Sequence, residues 1–149
     1  MATTYRPVLA SDIDLIIAMM HEFYAIDGYP IDEHRTRQLF AEFIGNEVLG
    51  KVWLVESDGG IVGYVILTLI FSFEFGGKIA FVDELYVSDR ARGQGIGTET
   101  IDFIKAEAIL LDVKILYLEV EHHNTLAQKL YLSAGFESHK RKFMIYKIF

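Results

Sequence analysis

Ile79-Ala80-Phe81-Val82-Asp83-Glu84-Leu85-Tyr86-Val87 is followed, after four residues, by Arg92-Gly93-Gln94-Gly95-Ile96-Gly97. The first stretch is rich in β-branched and aromatic residues, which suits a strand. Beyond the glycines, Ile101, Ile104, Ala108 and Leu111 recur at steps of 3, 4 and 3, the spacing of one helix face. Strand, glycine turn and helix in that order make an anion site. The leading N–H groups of the helix converge there, and the helix dipole favours negative charge. Glycines let the backbone approach a phosphate closely and reach positive φ. Arg92 adds a guanidinium able to make charge-assisted hydrogen bonds.

Upstream of this unit, Tyr5 to Leu9 reads as a short strand. Ser11 with Asp14 three residues on resembles a capping box, and Ile13, Ile16, Ile17, Met20 and Tyr24 follow at helical spacing. Asp27-Gly28-Tyr29-Pro30 ends that helix, and a second carries Leu39, Phe40, Phe43 and Ile44 on its apolar face. The period then changes. Lys51 to Glu56 and Ile61 to Phe71 read as strands joined by Ser57-Asp58-Gly59-Gly60, a hairpin signal. Gly76-Gly77 turns the chain into the strand quoted first. Downstream, Lys114 to Glu121 reads as a strand and Asn124 to Ala134 as a helix capped by Asn124 and closed by Gly135. Phe136 to His139 and Lys142 to Ile148 read as two closing strands. The order βααβββαβαββ predicts an α/β fold, a central mixed sheet flanked by helices. With no repeat or linker, residues 1–149 read as a single domain.

Composition narrows the function. Of 149 residues 52% are apolar and 23% charged, which excludes a disordered chain. The longest apolar run, Ile61 to Phe71, is shorter than the roughly 20 residues of a membrane-spanning helix. The N-terminus lacks the cationic and apolar pattern of a signal peptide, so a cytoplasmic location and no membrane partner are expected. There is no cysteine, hence no disulfide, thiolate nucleophile or thiolate metal site. A net charge of −7 disfavours nucleic acid as a partner. Residues 1–89 carry 5 basic and 14 acidic side chains (net −9), and residues 90–149 carry 9 and 7 (net +2). Such a division suits a cationic substrate beside an anionic cofactor, although taken alone it reads first as an ordinary solvated surface.

Two common phosphate loops fit poorly. A P-loop needs lysine before its Ser/Thr, and Gly97-Thr98-Glu99 has none. A dinucleotide fingerprint needs G-x-G-x-x-G, whereas Gly93-Gln94-Gly95-Ile96-Gly97 gives G-x-G-x-G. Arg92 to Gly97 instead resembles the R/Q-x-x-G-x-G/A pyrophosphate loop of the GNAT N-acetyltransferase superfamily. Leu85-Tyr86-Val87 resembles the strand whose backbone pairs with the pantetheine arm in that family. About 30 residues on, Asn124-Thr125-Leu126-Ala127-Gln128-Lys129-Leu130-Tyr131, followed by Gly135-Phe136, is similar to its second signature, N-x-x-A-x-x-L-Y and then G-F. Detailed resemblance covers residues 79–137, and the N-terminal helices match only in kind.

The resemblance implies direct transfer of an acetyl group from acetyl-CoA, as co-substrate, to a primary amine, with no metal. It places the cofactor on Leu85, Tyr86, Val87, Arg92, Gly93, Gln94, Gly95, Ile96, Gly97, Thr98 and Asn124. It makes Tyr131 the general acid that protonates the departing thiolate; a phenol with pKa near 10 holds its proton at neutral pH. The amine needs a base, and Asp83 and Glu84 stand out as carboxylates in an otherwise apolar strand. Strand alternation puts them on opposite faces, and Glu84 is favoured over Asp83; Glu119 and Glu121 lie on the next strand. Asp83-Glu84-Leu85-Tyr86-Val87 followed by the glycine loop resembles the diamine acetyltransferases of that family, and together with the acidic N-terminal portion this leans the acceptor towards polyamines or other small cationic amines.

The remaining features read more plainly. His122-His123 has no further ligand at metal spacing and reads as a loop pair. Trp53 reads as core. Phe71, Phe73 and Phe75 suit core, a homodimer contact or an acceptor wall, and Lys140-Arg141-Lys142 suits a solvated basic turn. Two other functions compete with the transferase: an acyl-CoA-binding sensor without turnover, and a nucleotide-binding oxidoreductase.

Overall fold

A computed structural model describes residues 3–149. The elements run β1 (Thr4–Pro7), a 3-10 turn (Ala10–Asp12), α1 (Ile13–Ile26), α2 (Glu33–Phe43), β2 (Gly50–Ser57), β3 (Gly60–Ser72), β4 (Gly77–Val87), a second 3-10 turn (Asp89–Ala91), α3 (Ile96–Leu110), β5 (Leu116–Leu118) and α4 (Thr125–Ser133). They fall into two compact units, the first ending at Glu119 and the second running Val120–Phe149. No helix among the described residues is long and apolar enough to cross a membrane.

The first unit is a five-stranded mixed sheet in the order β1-β2-β3-β4-β5. Every pairing is antiparallel except β4 with β5. Asp58 and Gly59 both take positive φ (53° and 76°), the two-residue turn that matches strand twist. The expected cap at Ser11 is displaced. Asp12 instead accepts the Leu9 N–H at 2.8 Å while Arg6 grips its two oxygens at 2.8 and 3.1 Å. The bidentate arginine decides which carboxylate stands at the helix entrance. Asp32 caps α2 through the Arg35 N–H at 3.0 Å.

Each face of the sheet buries its own core. On one, Ile16, Ile17, Met19 and Met20 of α1 and Phe40 of α2 pack on Val52, Leu54, Tyr64, Ile66 and Tyr86. On the other, Ile104 of α3 packs on Trp53, Val65, Leu67, Ala80 and Val82. Trp53 is therefore core, as expected. Along β4 the even-numbered residues change sides: Ala80 and Val82 lie in the α3 core, Tyr86 in the α1 core. The cause is a β-bulge. Leu67 pairs with Val82 and the next residue back, Ile66, pairs with Glu84, so Asp83 has no partner in the ladder. One extra residue reverses the side-chain alternation beyond it. Strict alternation along β4 therefore breaks between Val82 and Glu84.

In the second unit Asn124 accepts the Ala127 N–H at 3.1 Å. Gly135 at φ 97° closes α4, with the Phe136 N–H on the Tyr131 carbonyl at 3.0 Å. The strands expected at Phe136 to His139 and Lys142 to Ile148 are not formed among the described residues. An apolar run reads as a strand in sequence, but a strand exists only as half of a ladder. The strand expected over Lys114 to Glu121 is likewise confined to Leu116–Leu118. Phe71 and Phe73, at 65% and 92% exposure, are not core.

Gly63 faces β4, where an added Cβ would stand 2.0 Å from the Tyr86 carbonyl oxygen. Gly63→Ala should force the two central strands apart and cost about 1–3 kcal/mol, lowering Tm by roughly 2–10 °C. An unchanged Tm by circular dichroism would contradict this packing.

Candidate active site

Beyond the bulge, Glu84 is half-buried on the α1 side of the sheet. Its two oxygens each meet a phenol: Tyr24 of α1 donates to Oε2 at 2.6 Å, and Tyr64 of β3 donates to Oε1 at 2.7 Å. Burial pushes the Glu84 carboxyl above the usual carboxylate range; the two phenols pull it back, and neighbouring Asp83 adds to the rise. Asp83, although exposed to solvent, is also raised, by partial desolvation first and then by the charge of Glu119. Both tyrosines are pushed up, chiefly by burial and then by the Glu84 carboxylate. A second phenol–carboxylate pair lies one step along the strand. Tyr86 donates to Glu22 Oε2 at 2.6 Å, and burial and that bond push it up to about 12.

The next part of the site is the free edge of β4. Pairing with β5 covers Ala80, Phe81 and Val82, so on that side Leu85, Tyr86 and Val87 have no strand neighbour in the sheet. On the other side they pair with Val65, Tyr64 and Gly63. This is an edge onto which an extended ligand arm can add backbone hydrogen bonds.

From Val87 the chain passes into the glycine turn. The Ser88 N–H bonds the Val62 carbonyl at 2.7 Å, and Arg90 donates to the Ile61 carbonyl at 2.7 Å. Gly93 and Gly95 take φ of 77° and 79°, conformations that L side chains rarely adopt, and no atom crowds the space where their Cβ would stand. The N–H groups of Ile96, Gly97 and Thr98 form the first turn of α3, where a helix has no carbonyl of its own to bond. Arg92 is partly used within the loop: its Nε donates to the Val87 carbonyl at 3.0 Å, and its NH1 is paired with Asp89. Ser88 Oγ, at the mouth of the loop, is buried with no protein partner. Open N–H groups, uncrowded glycines and a spare hydroxyl fit a diphosphate-bearing cofactor.

Asn124 and Tyr131 belong to the second unit. Asn124 caps α4, and the Tyr131 ring meets Phe136 edge-on with centroids 5.8 Å apart. Burial pushes the Tyr131 phenol up, which keeps it protonated at neutral pH. His122 and His123 lie in the turn before α4, as expected of loop residues.

Tyr24, Tyr64 and Glu22 were not legible as site residues. Tyr24 fits the apolar face of its helix, and Tyr64 sits inside an apolar strand. The available signal was chemical: a buried phenol must find an acceptor, and Glu84 is the acceptor that an apolar strand offers. Thr100, fully buried, was missed too. It donates to the Ile96 carbonyl at 2.7 Å and meets the Tyr5 hydroxyl at 3.2 Å, fixing the start of α3 to β1.

Replacing Gly95 by valine would force a β-branched residue to positive φ at the head of α3. CoA affinity measured by calorimetry should fall at least about tenfold, the equivalent of 1.4 kcal/mol, while unfolding stays cooperative. Wild-type affinity in Gly95→Val would remove the loop from the binding site.

Residues 17–136 match the model of the acetyltransferase (GNAT) family. The chain is 32% identical over 63 residues to the D-amino-acid N-acetyltransferase HPA3 of Saccharomyces cerevisiae; the aligned stretch spans 42% of this chain and 39% of that relative's length. Among solved structures, an integron cassette protein from the mobile metagenome of Cole Harbour Salt Marsh superposes with a TM-score of 0.86 at 30% identity, covering 97% of this chain and 90% of the other. A predicted acetyltransferase from Clostridium acetobutylicum, crystallised with acetyl-CoA, superposes at 0.81 with 18% identity, covering 97% and 96%. With its family model matched over most of its length, this chain belongs to the acetyltransferase (GNAT) family.

Proposed function

We propose that the whole chain works as one acyl-CoA-dependent N-acetyltransferase that moves an acetyl group directly from acetyl-CoA to a primary amine. The observation that carries this reading is the glycine turn at the head of α3, with its uncrowded, positive-φ glycines, inside a chain of this family. Bound acetyl-CoA supplies an activated carbonyl and a thiolate leaving group. The protein's part is to hold the diphosphate on Arg92 to Thr98 and the pantetheine arm on the free edge of Leu85 to Val87. Asn124 is assigned a further cofactor contact by its place in the second signature.

The amine nitrogen forms its new bond to the acetyl carbon as the carbon–sulfur bond breaks. Glu84, through a water molecule, takes the proton that the amine loses; Asp83 is the alternative base. Tyr131 gives its proton to the departing sulfur and regains one from solvent. A raised Glu84 suits this role, because a base works best with its pKa near the operating pH. Small cationic amines such as polyamines are the favoured acceptors, supported by the acidic balance of residues 1–89 and the carboxylates of Glu22, Asp83 and Glu84 around β4. A second reading, an amino-acid acceptor, is favoured by the name of the yeast relative.

Release of free CoA thiol, followed with a panel of diamines, polyamines and D- and L-amino acids, tests both. Turnover with the diamines above the amino acids is expected. Preference for amino acids would select the second reading, and absence of thiol release with every amine would leave a binding domain without turnover. In the active pairing, Tyr131→Phe should lower kcat at least about a hundredfold, with CoA affinity within a small factor of wild type. Near-full kcat under chemistry-limited conditions would remove Tyr131 as the acid.

A further inference from the structure

Nothing in the transfer step requires Tyr24, yet its geometry is tied to Glu84. A lone carboxylate at a strand position can rotate about its side-chain torsions and present either oxygen. Glu84 has little such freedom, because each oxygen is taken by a different phenol on a different rigid element: Oε2 by Tyr24 of α1, Oε1 by Tyr64 of β3. Tyr64 is completely buried and serves the core as well as the carboxylate. Tyr24 is only partly buried, towards the end of α1, on the element that carries Glu22 and its bond to Tyr86.

We propose that Tyr24 is a positioning residue for Glu84: its hydroxyl fixes the orientation of the carboxylate and holds it in the ionised, proton-accepting form. The proposal rests on the reading of Glu84 as the base. The chemistry follows from the donor count. An ionised carboxylate accepts at both oxygens, so both phenols are satisfied. A neutral carboxyl carries its own proton on one oxygen, and the phenol facing that oxygen must turn from donor to acceptor, exchanging a charge-assisted hydrogen bond for a weaker neutral one. The clamp therefore favours the charge that burial opposes. The titratable groups acting on Glu84 are Tyr24 from α1, Tyr64 from β3 and Asp83 from its own strand. Of these, the two phenols favour ionisation and Asp83 disfavours it; Tyr86, bonded to Glu22, also faces Tyr64.

The test is Tyr24→Phe, which removes one donor and keeps the ring. The Glu84 side-chain carboxyl is titrated by 13C NMR in protein labelled at glutamate, its resonance assigned by its disappearance in Glu84→Gln. In parallel, the pH dependence of kcat/KM is measured with acetyl-CoA and the best diamine of the panel. A hydrogen bond to a charged group is worth about 1.5–3 kcal/mol, or roughly one to two pH units. The Glu84 titration should therefore move up by roughly one to two units, and the acid limb of kcat/KM should move with it. Tyr64→Phe, on the other oxygen, should shift the titration in the same direction. A purely structural role for Tyr24 would lower Tm and the rate at every pH and leave the titration in place. An unmoved Glu84 titration in Tyr24→Phe overturns the proposal. A titration that moves while the acid limb stays fixed supports the clamp and overturns Glu84 as the base.

Discussion

A carboxylate surrounded by apolar side chains must give up its charge or be met by donors. Glu84 is met twice, by Tyr24 from the helical layer and by Tyr64 from the adjacent strand. Those two hydrogen bonds depend on a single backbone irregularity. Without the extra residue at Asp83, the alternation that sends Ala80 and Val82 towards α3 would send Glu84 there as well. It would then meet Ile104 and its neighbours, where none of these phenols stands. The bulge thus decides at once which core β4 serves beyond Val82, which carboxylate is held beneath α1, and where Tyr86 can reach Glu22.

The same stretch of β4 governs the other half of the site. Parallel pairing with β5 covers only Ala80 to Val82, so the residues after the bulge keep one backbone edge unpaired within the sheet. Val87 hands the chain straight to the loop, where Ser88 and Arg90 fasten it to β3 and positive-φ glycines turn it into α3. The carboxylate, the edge and the helix head to which the proposed function assigns proton transfer, the extended arm and phosphate therefore lie within one continuous segment, Glu84 to Thr98. Arg92 also fastens the loop to itself: its guanidinium closes the turn on Val87 and Asp89.

What could be read from the sequence was whatever has a local signature. Helical and strand periodicity gave the elements up to α4, and the two motifs gave the loop and the Asn124–Tyr131 helix. Glu84 was legible as an ill-fitting charge in an apolar strand. What was not legible depends on partners distant in sequence. Tyr24 and Tyr64 are 60 and 20 residues from Glu84, and nothing near them in the chain announces a carboxylate. The bulge at Asp83 leaves no residue signature, since neither glycine nor proline marks it, so alternation was carried across a point where it breaks. Ser11 lost its expected cap role because Arg6, a strand residue, recruits Asp12. The apolar tail from Lys142 to Ile148 has strand composition, but composition alone cannot supply a neighbouring strand.

The role proposed for Glu84 is tested most directly by removing its carboxylate. The pH profile of kcat/KM for amine acetylation should be recorded for the wild-type protein and for Glu84→Gln. Burial raises the Glu84 carboxyl, so the wild-type profile should show an acid limb above the ordinary glutamate value of about 4.3. In Glu84→Gln that limb should vanish, and the plateau should fall by at least about a hundredfold. A variant that keeps both the limb and the wild-type plateau would contradict the account and move the base to another residue, with Asp83 the first to examine.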